Sequence, residues 1–152
     1  MQFREVNRQW SDTIVKMRGD IIVSRGKVHY VKELPGYVAE SGGQILGIVL
    51  YHIAGDECEI VTLNSYAENR GIGSKLIELV KEKAIISNCK RLWLITTNDN
   101  IRAIRFYQRR GFDMKCLHYN AVNEARRLKP SIPLYSPEGI PVKHEIEFEM
   151  LL

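Results

Sequence analysis

Two periodicities divide the chain. Between Tyr37 and Leu63 apolar runs are cut by Ser41-Gly42-Gly43 and by Gly55-Asp56. This predicts three strands, 37–40, 44–53 and 57–63, joined by tight turns as an antiparallel meander. The period then lengthens: Ile72, Leu76, Leu79, Val80 and Ala84 follow helical spacing, predicting an amphipathic helix from Gly71 to about Ser87. Leu92-Trp93-Leu94-Ile95-Thr96 reads as a buried strand. Strand, helix and strand in that order predict a βαβ unit, so this part of the sheet is expected to be parallel.

The flanks are read the same way. Phe3–Val6 predicts a strand, and Trp10, Ile14 and Met17 a helix over about 8–17. Residues 19–34, with the short apolar run Ile21-Ile22-Val23, support no assignment. Asn100 suits the N-cap of a helix over about 101–110, and Gly111 its left-handed exit, with Phe112 free to pack back. A strand near 114–119 follows. Residues 121–144 form a polar, proline-containing excursion with a helical piece at 122–128. In 145–152, Ile146, Phe148 and Met150 alternate with Glu145, Glu147 and Glu149, predicting a final strand. The sum is one mixed α/β domain over residues 1–152, with a mostly antiparallel twisted sheet of about six or seven strands, one parallel βαβ pair and flanking helices.

Composition narrows the chemistry. With 45% hydrophobic and 26% charged residues the chain sits in the globular range. No apolar run approaches the roughly 20 residues that span a bilayer, and the polar start is unlike a secretory segment. Cys58, Cys89 and Cys116 are scattered, without paired spacing or a histidine at ligand spacing. That argues for a reducing, cytoplasmic setting and against a disulfide framework. His29, His52, His118 and His144 are dispersed, and no metal is expected. The net charge of +4 suits a polyanionic small ligand. No basic stripe interleaved with aromatics appears, so nucleic acid is not the expected partner.

The sharpest local feature is Glu68-Asn69-Arg70-Gly71-Ile72-Gly73-Ser74, between a strand and a helix. Glycines allow a tight turn and close approach of backbone to a ligand. The first helical N–H groups, with the helix dipole, make a seat for phosphate oxygens. The spacing is wrong for a P-loop. The dinucleotide fingerprint fails too, because Leu76 stands at its third glycine. In the next helix Asn100, Ala103 or Ile104, and Tyr107 share one face, where a phenol can give a proton to a leaving group. A plain helix entry and an ordinary half-buried tyrosine account for the same residues, and both readings stand at this point.

Taken together, the two segments resemble the GNAT superfamily of N-acetyltransferases. Its pyrophosphate loop reads [QR]-x-x-G-x-[GA] and its later helix N-x-x-A-x-x-x-Y-x-x-x-G-F. Here the loop is Glu68 to Gly73 and the helix segment runs from Asn100 through Ala103, Tyr107 and Gly111 to Phe112. Glu68 departs from the usual Gln or Arg, which leaves the backbone amides as the binding groups, with Arg70 offsetting the charge. The resemblance implies an acetyl-coenzyme A-dependent N-acetyltransferase of GNAT-like fold, in which an acceptor amine, on a small molecule or peptide, attacks the thioester directly. The implied coenzyme-binding residues are Val61, Leu63, Glu68, Asn69, Arg70, Gly71, Ile72, Gly73, Ser74, Asn100, Ala103, Phe106 and Tyr107. A backbone N–H near Val61 is implied to polarise the thioester carbonyl, and Tyr107 to protonate the thiolate.

Glu57 and Glu59 are the base candidates, since odd-numbered residues of their strand are expected to share a face with Val61 and Leu63. Solvent-facing carboxylates, with the proton leaving through water, fit as well. The excursion 121–144 is expected to cover the acceptor or to meet a second subunit as a homodimer, with Arg126, Arg127 and Lys129 meeting an acidic acceptor; a solvated basic helix is the alternative. Two competing functions are carried: a non-catalytic acyl-coenzyme A sensor or interaction module, and a nucleic-acid-binding domain.

Overall fold

The computed structural model describes residues 1–67 and 70–152. In chain order the elements are β1 (Gln2–Glu5), α1 (Arg8–Arg18), β2 (Ile21–Ser24), β3 (Lys27–Tyr30), a 3-10 turn (Val31–Glu33), β4 (Gly36–Ser41), β5 (Gln44–Ala54), β6 (Glu57–Ser65), α2 (Ile72–Ile86), β7 (Arg91–Thr97), α3 (Ile101–Arg109), β8 (Asp113–His118), α4 (Ala121–Leu128) and β9 (Glu145–Leu151). Seven strands form one sheet in the order β1-β4-β5-β6-β7-β9-β8. Only β6 and β7 pair in parallel; every other neighbouring pair is antiparallel. The meander, the βαβ unit and the closing strand are therefore as the patterning predicts.

The unassigned stretch 19–34 resolves into a separate two-stranded hairpin, β2–β3, and the 3-10 turn. Its strands are four residues each and pair only with one another, so neither carries a long enough alternation to read.

Two apolar layers fill the faces of the sheet. On one, α2 buries Ile72, Leu76, Val80 and Ala84 against Val49, Cys58, Ile60, Leu92 and Phe148. Tyr107 and Phe112 close this layer, their rings meeting edge to face at 5.6 Å. On the other, Ile14 of α1 packs with Val31, Leu34, Val38, Ile48 and Leu50. Fully burying each such aliphatic side chain is worth about 1.5–3 kcal/mol.

Two irregularities in β6 shape the site. Its pairing with β7 runs only from Glu57↔Arg91 to Ile60↔Leu94, although β6 continues to Ser65 and β7 to Thr97. The strands thus part beyond Ile60. Against β5 the register jumps from Leu50↔Thr62 to Tyr51↔Ile60, leaving Val61 opposite no residue. Such a bulge reverses the alternation of side chains. Glu57 and Glu59 line a cleft under the hairpin, and Val61 packs toward the α1 layer. Leu63, however, packs with the α2 layer. The expected common face of Glu57, Glu59, Val61 and Leu63 therefore holds only as far as Val61.

The excursion between β8 and β9 is held by its own side chains. Arg126 donates to the carbonyls of Ile132 (3.2 Å), Pro133 (2.9 Å) and Val142 (2.5 Å) and to Asn123 Oδ1 (2.7 Å). Lys129 Nζ donates to Ile21 O at 3.0 Å, tying the excursion to β2. Exposed Arg127 pairs with Glu124 at 3.4 Å. Through these contacts Arg126 and Lys129 brace the loop and the hairpin.

Candidate active site

On the α2 face, a groove of about 390 Å³ opens where β6 and β7 part. Leu63 and Ser65 of β6, the turn from Arg70 to Ser74, and Asn100, Ala103, Phe106, Tyr107 and Arg110 are among its walls. Of the predicted coenzyme residues, Leu63, Arg70, Gly71, Ile72, Gly73, Ser74, Asn100, Ala103, Phe106 and Tyr107 are brought together here. Val61, two residues before Leu63 in β6, is not part of its lining, and Glu68 and Asn69 lie outside the described residues.

Each glycine of the turn has its own reason. Gly71 caps α2 with φ +69°, a left-handed conformation that side chains disfavour. At Gly73 a Cβ would stand 3.0 Å from Phe106 Cζ, so the missing side chain lets α3 lie against the start of α2. The first i→i−4 bond of α2 runs from Lys75 N–H to Gly71 O, at 3.0 Å. The N–H groups of Ile72, Gly73 and Ser74 precede it and have no carbonyl within the helix to donate to. They open on the groove together with the guanidinium groups of Arg70, Arg102 and Arg110, and no carboxylate is among the described lining residues. Amides at a helix N-terminus, with arginines beside them, suit a diphosphate.

Arg110 escaped the sequence reading. Its Nε donates to Ser74 Oγ at 2.8 Å and its Nη1 to Phe106 O at 3.1 Å, with the guanidinium 3.5 Å from the centre of the Phe106 ring. Burial, with Arg109 nearby, lowers its pKa. It clamps the end of α3 to the start of α2. Its four-residue spacing from Phe106, just before Gly111, was the signal available. Asn100 caps α3 as predicted, its Oδ1 accepting from Ala103 N–H at 3.2 Å. Tyr107 is 8% exposed among the rings of Phe106, Phe112 and Phe148. Burial pushes its phenol pKa up, so it keeps its proton at neutral pH.

The second cleft, about 400 Å³, lies on the other face beneath the β2–β3 hairpin. Ser24, Arg25, Lys27, His52, Glu57, Glu59 and Trp93 line it. Glu59 is 4% exposed, accepts from Ser24 Oγ at 2.6 Å and stands 3.3 Å from His29 Nε2. Glu57 is bound by Arg91 Nη1 at 2.9 Å. Arg91 also holds Glu149 (2.6 Å) and Glu147. Burial works against its charge, but bonds to Glu149, Glu147 and Glu57 leave its pKa raised. Glu147, buried, takes Arg25 (3.4 Å) and His118 (2.8 Å) as well. Burial opposes its ionisation, yet His118 and Arg91 bring its pKa below the ordinary value. Glu145 differs: burial, aided by Glu59, raises its pKa, while Arg25 N–H donates to it at 3.1 Å. The sequence reading used Glu145, Glu147 and Glu149 only as polar members of an alternating strand.

Among the described residues one group has metal-like donors: Cys116, His118 and Glu147, with ligand atoms within 4.8 Å of one another. The two-residue step from Cys116 to His118 places both on one strand face, a spacing the sequence reading passed over. Glu147 is already neutralised there by Arg91 and Arg25. The other two thiols are buried, Cys58 with its pKa pushed up to about 12 by burial, and neither suits a nucleophile. No helix among the described residues is long and apolar enough to cross a membrane.

Residues 7–112 match the acetyltransferase (GNAT) family. The chain is 47% identical to the uncharacterized protein YdhI of Bacillus subtilis (strain 168), over 79% of this chain and 76% of that one. In fold it is similar to the IAA acetyltransferase from Bacillus cereus ATCC 14579, with TM-score 0.77, 20% identity and 99% of each chain covered. It is also similar to a GNAT family acetyltransferase from Elizabethkingia anophelis with acetyl-CoA bound, with TM-score 0.69, 24% identity, and 81% of this chain and 79% of that one covered. The chain belongs to the GNAT family of acetyltransferases.

Proposed function

We propose that the protein transfers an acetyl group from acetyl-coenzyme A to a primary amine within a ternary complex. The observation that carries this reading is the parting of β6 and β7, which stands between an arginine-lined groove on one face and a carboxylate-bearing cleft on the other.

In this reading the N–H groups of Ile72, Gly73 and Ser74, with Arg70 and Arg110, hold the diphosphate. The pantetheine arm follows Leu63 toward the gap. Val61, unpaired against β5 and one residue beyond the β7 ladder, offers its backbone N–H to the thioester carbonyl as an oxyanion donor. The acceptor enters from the hairpin side. Its nitrogen forms the new C–N bond as the C–S bond breaks, and Tyr107 holds the proton that the departing thiolate takes. The ammonium proton of the acceptor leaves toward Glu59 or Glu57, directly or through water. Glu59 adjoins Ile60, where the β7 ladder ends, whereas Glu57 stands at the far end of that ladder and is bound by Arg91.

Initial rates of coenzyme A thiol release, with both substrates varied, test the order of events. Direct transfer gives intersecting double-reciprocal lines. Parallel lines, together with an acetylated enzyme, would indicate a covalent intermediate and refute direct attack.

A further inference from the structure

The charges around the hairpin cleft can be matched one by one, and the matching leaves a remainder. Glu57 goes to Arg91 and Arg25 to Glu147, while Glu59 accepts from Ser24 Oγ and lies 3.3 Å from His29 Nε2. Lys27 meets no carboxylate among the described residues; its Nζ lies 3.1 Å from His52 Nε2 and makes no ion pair. The ammonium is the donor in this contact, so His52 accepts with a neutral ring. Burial, then Lys27 and His29, push the His52 pKa down. The mouth of the cleft therefore presents an uncompensated cation, while Glu59 lies buried within.

We infer that the acceptor is a primary amine that also bears an anionic group, a carboxylate or a phosphate, which Lys27 receives while the amine points toward Glu59. This rests on the acetyltransferase reading above and adds the substrate class to it. An amine at one end and an anion at the other match the two poles of the cleft, whereas a polyamine would bring a second cation against Lys27. Trp93 forms part of the wall of the cleft, with the guanidinium of Arg25, itself paired to Glu147, 5.1 Å from its ring centre.

Matched amines test this. Phenylalanine is compared with phenethylamine for the carboxylate, phosphoethanolamine with ethanolamine for the phosphate, and spermidine is the polycation. The readout is kcat/KM from thiol release, beside calorimetric acetyl-coenzyme A binding. In at least one pair the anionic member should be preferred tenfold or more, and which pair shows it tells carboxylate from phosphate. Lys27→Ala should erase most of that preference through KM, Lys27→Arg should restore it, and acetyl-coenzyme A affinity should stay unchanged in both. Equal or reversed preference in every pair, faster turnover of spermidine, or a preference indifferent to Lys27→Ala overturns the acceptor assignment and leaves the activity standing. A folded protein that binds no acetyl-coenzyme A overturns the activity itself, and this inference with it.

Discussion

The groove beside α2 and the cleft under the β2–β3 hairpin enclose similar volumes, about 390 and 400 Å³, yet they are built in opposite ways. The groove is made mostly of backbone and short local segments: one turn, the first residues of α2 and one face of α3. Three arginines and no carboxylate are among its described lining residues. The cleft is made of side chains from strands β2, β3, β5, β6 and β7, and nearly every charge in or beside it has an opposite charge within reach. A ligand common to many enzymes can be held by amides and a helix end, which any sequence supplies once the turn is right. An acceptor that differs from one enzyme to the next is recognised by side-chain chemistry assembled over long range.

If that contrast is sound, damage to one region leaves the other intact. The largest effect is expected at Glu147, which joins Arg91, Arg25 and His118. Removing one member of a buried ion network costs about 3–5 kcal/mol. Glu147→Ala should therefore lose about 3 kcal/mol or more of stability in chemical denaturation, and a loss under about 1 kcal/mol would show the network to be ornamental.

Tyr107→Phe comes next. It keeps the ring in the Phe106, Phe112 and Phe148 cluster, so folding should hold. Turnover should fall about a hundredfold with acetyl-coenzyme A affinity unchanged, the range usual for a lost proton donor. Unchanged turnover removes Tyr107 from the chemistry.

Arg110→Met should be milder. It forfeits the bond to Ser74 and one cation in the groove, worth roughly tenfold in acetyl-coenzyme A affinity by calorimetry. The ratio of rates between two acceptors should not move; if it did, the groove and cleft would not be separable.

The smallest effect is a pH dependence. The pKa of Glu145 is raised in the folded state, chiefly by burial. Its ionisation therefore costs stability as pH rises through the folded pKa, and the cost vanishes below the unfolded one. Gln keeps the oxygen that accepts from Arg25 N–H but does not titrate. Glu145→Gln should thus gain thermal stability over the wild type at pH 8 and lose that gain at pH 4, and a gap that widened toward pH 4 would mean the sign is wrong.

The same contrast decides what the sequence made legible. Gly71, Gly73 and Asn100 could be read because each is demanded by a local event, a left-handed cap, a helix contact or an N-cap, that leaves a residue type at fixed spacing. The bulge at Val61 left no such mark: β6 has neither glycine nor proline, and the bulge arises from its pairing with β5. Reading strict alternation through it misplaced Leu63. The cleft was less legible still. Ser24 and Glu59 are 35 residues apart, Arg25 and Glu145 are 120, and only the folded sheet with its hairpin joins them. Arg126 and Lys129 hold carbonyls of the chain itself, contacts that their charge and position in the sequence did not announce.

The central claim is that the groove holds acetyl-coenzyme A by its diphosphate. A calorimetric titration of the wild-type protein with acetyl-coenzyme A, with NAD as a second diphosphate ligand, tests it most directly. The account predicts one-to-one binding in the micromolar range for acetyl-coenzyme A and none of that strength for NAD. Equal binding of both would reduce the groove to a general diphosphate seat. No binding by a folded protein would contradict the account outright, leaving the glycine turn as a helix entry alone.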